Sequence, residues 1–205
     1  MKQKILLTIL SLFFASGVLA QSLDLRLLEY INGPVSPHAD KNWRLLSEKS
    51  PYIDVAIPVS CIITGFINDD DRLKTQGYDA AASLIIAAGG SFVLKEIVQR
   101  DRPFITHPGD IIPKLNETGY SFPSNTTSLA FAAATSLSIA EPKWYVIAPS
   151  FLYASAVGYS RLYLGVHYPS DVVGGAVVGV FSSYATFIGQ RWLQRRKVRK
   201  LRMPN

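Results

Sequence analysis

Ser160-Arg161-Leu-Tyr-Leu-Gly-Val-His167-Tyr-Pro169-Ser170-Asp171 runs directly into nineteen uncharged residues, Val172 to Gln190, and then into a basic tail. Pro169 and Ser170 read as a turn and a helix start. The uncharged run that follows reads as a helix within the roughly 17–25 residues of a membrane span. His167 and Asp171 are four apart at the mouth of that helix. An aspartate so placed can hold one imidazole nitrogen and leave the other free to attack. A first-turn aspartate stabilised by the helix dipole, beside a loop histidine, explains the same residues without chemistry.

Working outward, uncharged runs alternate with short charged punctuation: Val55–Asn68, Ala80–Leu94, Thr118–Ala140 and Trp144–Ser160. Apart from residues 118–124 all read as helices rich in Ala, Gly and Leu, which makes the chain all-α, a bundle of about five to six core helices. Leu23 to Ile31 has leucines at helical spacing and reads as a short amphipathic helix, stopped by Asn32-Gly33-Pro34. Trp43, Leu45 and Leu46 mark a second amphipathic piece, ended by Pro51. Lys2 and Lys4 precede an apolar stretch with small residues near its end, the pattern of a signal peptide cut after Ala20 or of an uncleaved first anchor. The organisation expected is therefore 1–20 leader or anchor, 21–50 amphipathic helices, 51–190 bundle and 191–205 basic tail.

The charge balance supports a membrane setting. Only 18% of the 205 residues are charged, against about 25% in soluble domains. The net +6 resolves into seven basic residues between Arg191 and Arg202, and a body with 14 basic and 15 acidic residues. If each run crosses once from inside, the cytosolic pieces hold 12 of the 21 Lys and Arg residues, and the tail follows the last run as a positive-inside anchor. That placement accounts for the tail better than nucleic-acid binding does. Gly175 and Gly179 form a GxxxG pair that allows close helix packing. The competing reading is a soluble helix bundle, in keeping with a mean hydropathy of only +0.18. One cysteine, Cys61, excludes an intrachain disulfide and a Cys-based zinc cluster.

Two more clusters lie at run ends. Lys95-Glu-Ile-Val-Gln-Arg-Asp-Arg102-Pro103 sets two cations seven apart, about two helical turns, which predicts that they share a helix face. Tyr120-Ser-Phe-Pro-Ser124-Asn125-Thr126-Thr127 precedes an Ala-rich helix; hydroxyls and N–H groups there suit an anion, and equally suit a plain N-cap. With Ser160–Asp171, these clusters resemble the three-part signature of the phosphatidic-acid phosphatase type 2 / vanadium haloperoxidase superfamily, K-x6-R-P, P-S-G-H and S-R-x5-H-x3-D. Lys95, Arg102 and Pro103 match the first part; Ser160, Arg161, His167 and Asp171 match the third. In the second, Pro123-Ser124-Asn125-Thr126 stands for P-S-G-H, so Thr126 occupies the histidine's place.

The resemblance implies a helical bundle in a bacterial-type inner membrane, with its site at the periplasmic helix ends, or else a soluble periplasmic acid phosphatase. It implies a metal-independent phosphatase, with no cofactor, acting on a phosphorylated lipid or polyprenyl (di)phosphate through a phosphohistidine. His167 would be the nucleophile, and Asp171 would orient it and stabilise its positive form. Lys95, Arg102 and Arg161 would bind phosphate with Ser124 and the backbone near Asn125, Asn tolerating the left-handed backbone a glycine would use. The missing histidine would be the general acid, usually worth about 10²–10⁴-fold. His107 is the nearest substitute in sequence, His38 a remoter one. The change implies either a preference for diphosphates, whose leaving group is better than an alkoxide, or a weakened member that binds phosphorylated lipid.

Overall fold

The computed structural model describes residues 22–201, and the leader or anchor expected at 1–20 lies outside them. Seven helices follow in order: α1 (22–32), α2 (Pro37–Ile67), α3 (Asp71–Val98), α4 (Pro103–Thr106), α5 (Asn125–Ala140), α6 (Trp144–Tyr163) and α7 (Pro169–Leu201). There is no strand among the described residues. The five long helices form the bundle, with α5 inside it. Three segments, Pro37–Ile67, Asp71–Thr106 (α3 together with α4) and Pro169–Leu193, are long and apolar enough to cross a membrane.

The core is built from small residues. Ala87, Ala130, Ala132, Ala133, Ala134 and Ala154 are buried, and the serines between them bond to one another. Ser91 of α3 donates to Ser128 of α5 at 2.8 Å, and Ser136 of α5 to Ser183 of α7 at 3.0 Å. A Cβ on Gly175 would lie 2.5 Å from the Ser124 carbonyl, and one on Gly179 would collide with that of Ser128. The GxxxG pair thus sets the α5–α7 approach. The large apolar side chains face outward: Ile53, Ile63, Phe66, Ile85, Phe92, Val177, Phe181 and Ile188 are exposed. Lipid rather than water suits that surface.

Two local expectations change. Pro51 does not end a helix; it lies inside α2 with Pro58. Proline lacks the N–H that the Ser47 carbonyl would accept, and the Ser50 hydroxyl donates to that carbonyl instead at 3.1 Å. The boundary drawn between residues 50 and 51 therefore falls within one helix. At the other end of the chain, α7 continues into the basic tail as far as Leu201.

Helix direction sorts the two ends of the bundle. The N-termini of α5 and α7 and the C-termini of α3 and α6 meet at one end. At the other end, Arg72 pairs with Glu141 at 2.7 Å and Gln76 donates to the Ala140 carbonyl at 3.1 Å. The basic stretch of α7 emerges at this second end. α1 covers the first: Leu28 is fully buried with Ile111, Leu162 and Tyr168. Asn32, at the end of α1, donates to the Ile112 and Tyr163 carbonyls at 3.0 Å, which fixes the 107–124 loop against α6.

Candidate active site

All three motif clusters arrive at the end covered by α1. α3 stops at Val98, where Gln99 takes a left-handed φ of 49° and its N–H closes on the Lys95 carbonyl at 2.9 Å. Lys95 and Arg102 therefore do not share a helix face as the spacing suggested. Lys95 is the last basic residue of α3, and Arg102 is the N-cap of α4. The turn lets Arg102 reach inward, where it is buried and donates to the Gly119, Thr118 and Val166 carbonyls, each at 3.0 Å. Lys95 donates to the Tyr120 and Ser121 carbonyls, holding the second motif in place.

In the second motif the plain capping reading holds. Ser124 is the N-cap of α5, and its oxygen accepts from the Thr127 hydroxyl at 2.9 Å. Its N–H donates to the Asp171 carbonyl at 3.0 Å, tying the motif to α7. Asn125 is the first residue of α5 and takes a helical conformation; the left-handed backbone expected there is found at Asp69 and Gln99 instead. The buried Oδ1 of Asn125 has no partner, and Thr126 is half-buried in the same first turn.

His167, just before α7, is buried. Its Nε2 lies 3.4 Å from Nη1 of Arg102, and its Nδ1 lies 3.3 Å from the Ser121 hydroxyl and 3.5 Å from Oδ2 of Asp171. A guanidinium only donates, so these neighbours place the ring proton on Nδ1 and the lone pair on Nε2. Burial, reinforced by Arg161 and Arg102 against the opposing Asp171, pushes the His167 pKa down to about 4. The ring is thus neutral at pH 7 and its free nitrogen faces the cations. Asp171, fully buried, also accepts from the Tyr168 N–H at 2.9 Å and from the Ser121 hydroxyl.

Arg161 is buried and donates to the Ser47 hydroxyl of α2 and to Glu117, while its Nε has no partner. Glu117 joins the two arginines, with Oε1 on Arg161 and Oε2 3.3 Å from Arg102. Burial pushes the Glu117 carboxyl up, but Arg161 and Arg102 outweigh it and hold it below the usual range. Two guanidiniums converging on one anion beside a neutral imidazole are chemically suited to hold an anion next to a ring nitrogen with a lone pair. His107 stands apart, its Nδ1 2.9 Å from the Thr106 hydroxyl and 3.3 Å from that of Tyr168. His38 is exposed on the first turn of α2.

Sequence reasoning missed four residues here. Arg100 and Glu117 sat in plain view beside the motifs but match none of their positions. Ser121 lies within the quoted second cluster, where only Ser124 stood out. Asp24 reaches Arg100 across 76 positions and Ser170 across 146, and no local pattern signals that.

The comparisons extend over most of this site. A 130-residue segment is 32% identical to an undecaprenyl-diphosphatase of Sulfolobus acidocaldarius, covering 63% of this chain and 61% of that protein. A 179-residue segment is 27% identical to a lipid A 4'-phosphatase of Bacteroides thetaiotaomicron, covering 79% and 74%. The crystal structure of Aquifex aeolicus LpxE superposes with a TM-score of 0.66 at 30% identity, covering 80% of this chain and 94% of that one. The family model described as PAP2 superfamily matches residues 76–195, from α3 through α7 and every motif residue between. The chain belongs to the PAP2 superfamily.

Proposed function

We propose that this chain is a membrane phosphatase that removes phosphate from a lipid or isoprenoid phosphate or diphosphate, with its site on the periplasmic face. The observation that carries the reading is the His167 lone pair on Nε2, facing Arg102 beside the Arg161–Glu117 pair. In this mechanism Nε2 attacks phosphorus in line. The bond to the leaving oxygen breaks with its electron pair going to that oxygen, which gives a phosphohistidine. Water then attacks the phosphorus, the P–N bond breaks, and phosphate departs. Asp171 keeps the Nδ1 proton in place and balances the charge that develops on the ring. Arg102 and Arg161 hold the equatorial oxygens, with no metal required. The periplasmic orientation rests on the basic stretch of α7 emerging opposite the site.

Thr126 favours diphosphates within this reading, because a threonine hydroxyl is too weak an acid to replace histidine and phosphate leaves without one. The relative named as an undecaprenyl-diphosphatase is consistent with a diphosphate, while the lipid A 4'-phosphatase supports only the broader class of phosphorylated lipids. The test is turnover of a polyprenyl diphosphate and of phosphatidate by wild type, His167→Ala and Thr126→His. We expect no turnover by His167→Ala, wild-type preference for the diphosphate, and about tenfold or greater gain on phosphatidate in Thr126→His. Unchanged activity in His167→Ala would overturn the nucleophile. Binding of vanadate without turnover of either substrate would instead mark a weakened, lipid-binding member.

A further inference from the structure

Arg100 has no place in the motif signature, yet it holds the one Asp171 oxygen that His167 leaves unused. Its Nη1 donates to Oδ1 of Asp171 at 2.7 Å and to the Ser170 hydroxyl at 2.6 Å. Its Nη2 donates to Oδ2 of Asp24 at 2.8 Å, and its guanidinium lies 3.8 Å from the centre of the Tyr168 ring. Asp24, buried on α1, also accepts from the Ser170 N–H at 2.8 Å, so it caps the N-terminus of α7 from another helix. We propose that Asp24 and Arg100 are positioning residues for the nucleophile, acting on His167 through Asp171, and that α1 is part of the catalytic unit.

The charge pattern explains why both are needed. Asp171 alone would offer His167 one negative charge. Arg100 fixes the carboxylate but cancels that charge, and Asp24 restores it, leaving the trio at −1. The other charged groups around His167 are Lys95 on α3, Arg102 at the start of α4, Glu117 on the following loop and Arg161 on α6. Against those cations the trio stabilises the positive ring that forms on phosphoryl transfer. Removing Asp24's charge should lower the His167 pKa, and removing Arg100's should raise it. A merely structural role would not move the two in opposite directions.

The proposal rests on His167 being the nucleophile, and two readouts separate the two ideas. The first is the acid limb of kcat/KM on one substrate for wild type, Asp24→Asn, Arg100→Met and Arg100→Lys. We expect the limb to move down in Asp24→Asn and up in Arg100→Met, by about half a pH unit or more. Arg100→Lys should stay near wild type. kcat should fall about tenfold in Asp24→Asn and Arg100→Met, with KM little changed. The second readout needs no turnover: NMR titration of the His167 ring in the same full-length variants in detergent, assigned by its loss in His167→Ala. Opposite shifts support the positioning role even if wild type proves inactive. Shifts of the same sign, or none, in folded variants overturn it, whether or not the phosphatase reading stands.

Discussion

At the scale of single residues, Glu117 occupies the two guanidiniums to which the proposed reading assigns the phosphate. Glu117→Gln keeps the size and the capacity to accept from Arg161 but loses the charge that competes for the cradle. Inhibition by vanadate or inorganic phosphate should strengthen about tenfold, equal to about 1.4 kcal/mol, read as a lower Ki. An unchanged Ki would mean that Glu117 and the anion do not share donors. The residues of the two complete motifs were legible because their spacing is specific. His167 lies beside Asp171, the partner the spacing suggested, and also beside Arg102, a contact the spacing did not suggest. Glu117 escaped notice because a lone glutamate ahead of an uncharged run has no periodicity or spacing to mark it.

At the scale of elements, helix identity was easier to read than helix limits. The uncharged runs did mark α3, α5, α6 and α7, and the non-helical character expected for residues 118–124 holds, with α5 starting at Asn125. What failed were inferences from single residues. Pro51 was taken for a stop, but a neighbouring serine satisfies the carbonyl it orphans. The Lys95–Arg102 spacing was taken for a helix face, but Gln99 turns the chain between them. The small-residue contacts between α5 and α7 carry a prediction of their own. A side chain at Gly179 would collide with the Ser128 carbonyl and with the Ala132 N at 2.8 Å, both backbone atoms that cannot rotate away. Gly179→Val should therefore destabilise the fold by about 1–3 kcal/mol, seen as earlier thermal unfolding in detergent. Gly89→Ala, whose added methyl meets nothing within 4 Å, is the control.

At the scale of the whole molecule, the distribution of side-chain size is inverted relative to a water-soluble bundle. Alanine, serine and glycine fill the interior, while isoleucine, valine and phenylalanine cover the flanks of α2, α3 and α7. Composition hinted at this through the low charged fraction, yet the mean hydropathy pulled the other way, because a serine-lined interior dilutes it. The three-dimensional sorting, with large apolar side chains on the outside of the long helices, is what points to lipid. The protein should stay in the pellet when membranes are washed with alkaline carbonate and leave only with detergent; release by carbonate would support the soluble periplasmic alternative.

One further consequence follows from α7 being a single helix from Pro169 to Leu201. Its apolar span, Pro169–Leu193, has 25 residues, about 37 Å of rod against the roughly 30 Å of a hydrocarbon core. Asp171 stands in its first turn and the arginines in its last ones, so any tilt that fits the rod to the bilayer also moves the carboxylate. In the proposed reading, bilayer thickness would therefore act on the position of Asp171 through the tilt of the same rod that carries the basic stretch at its other end.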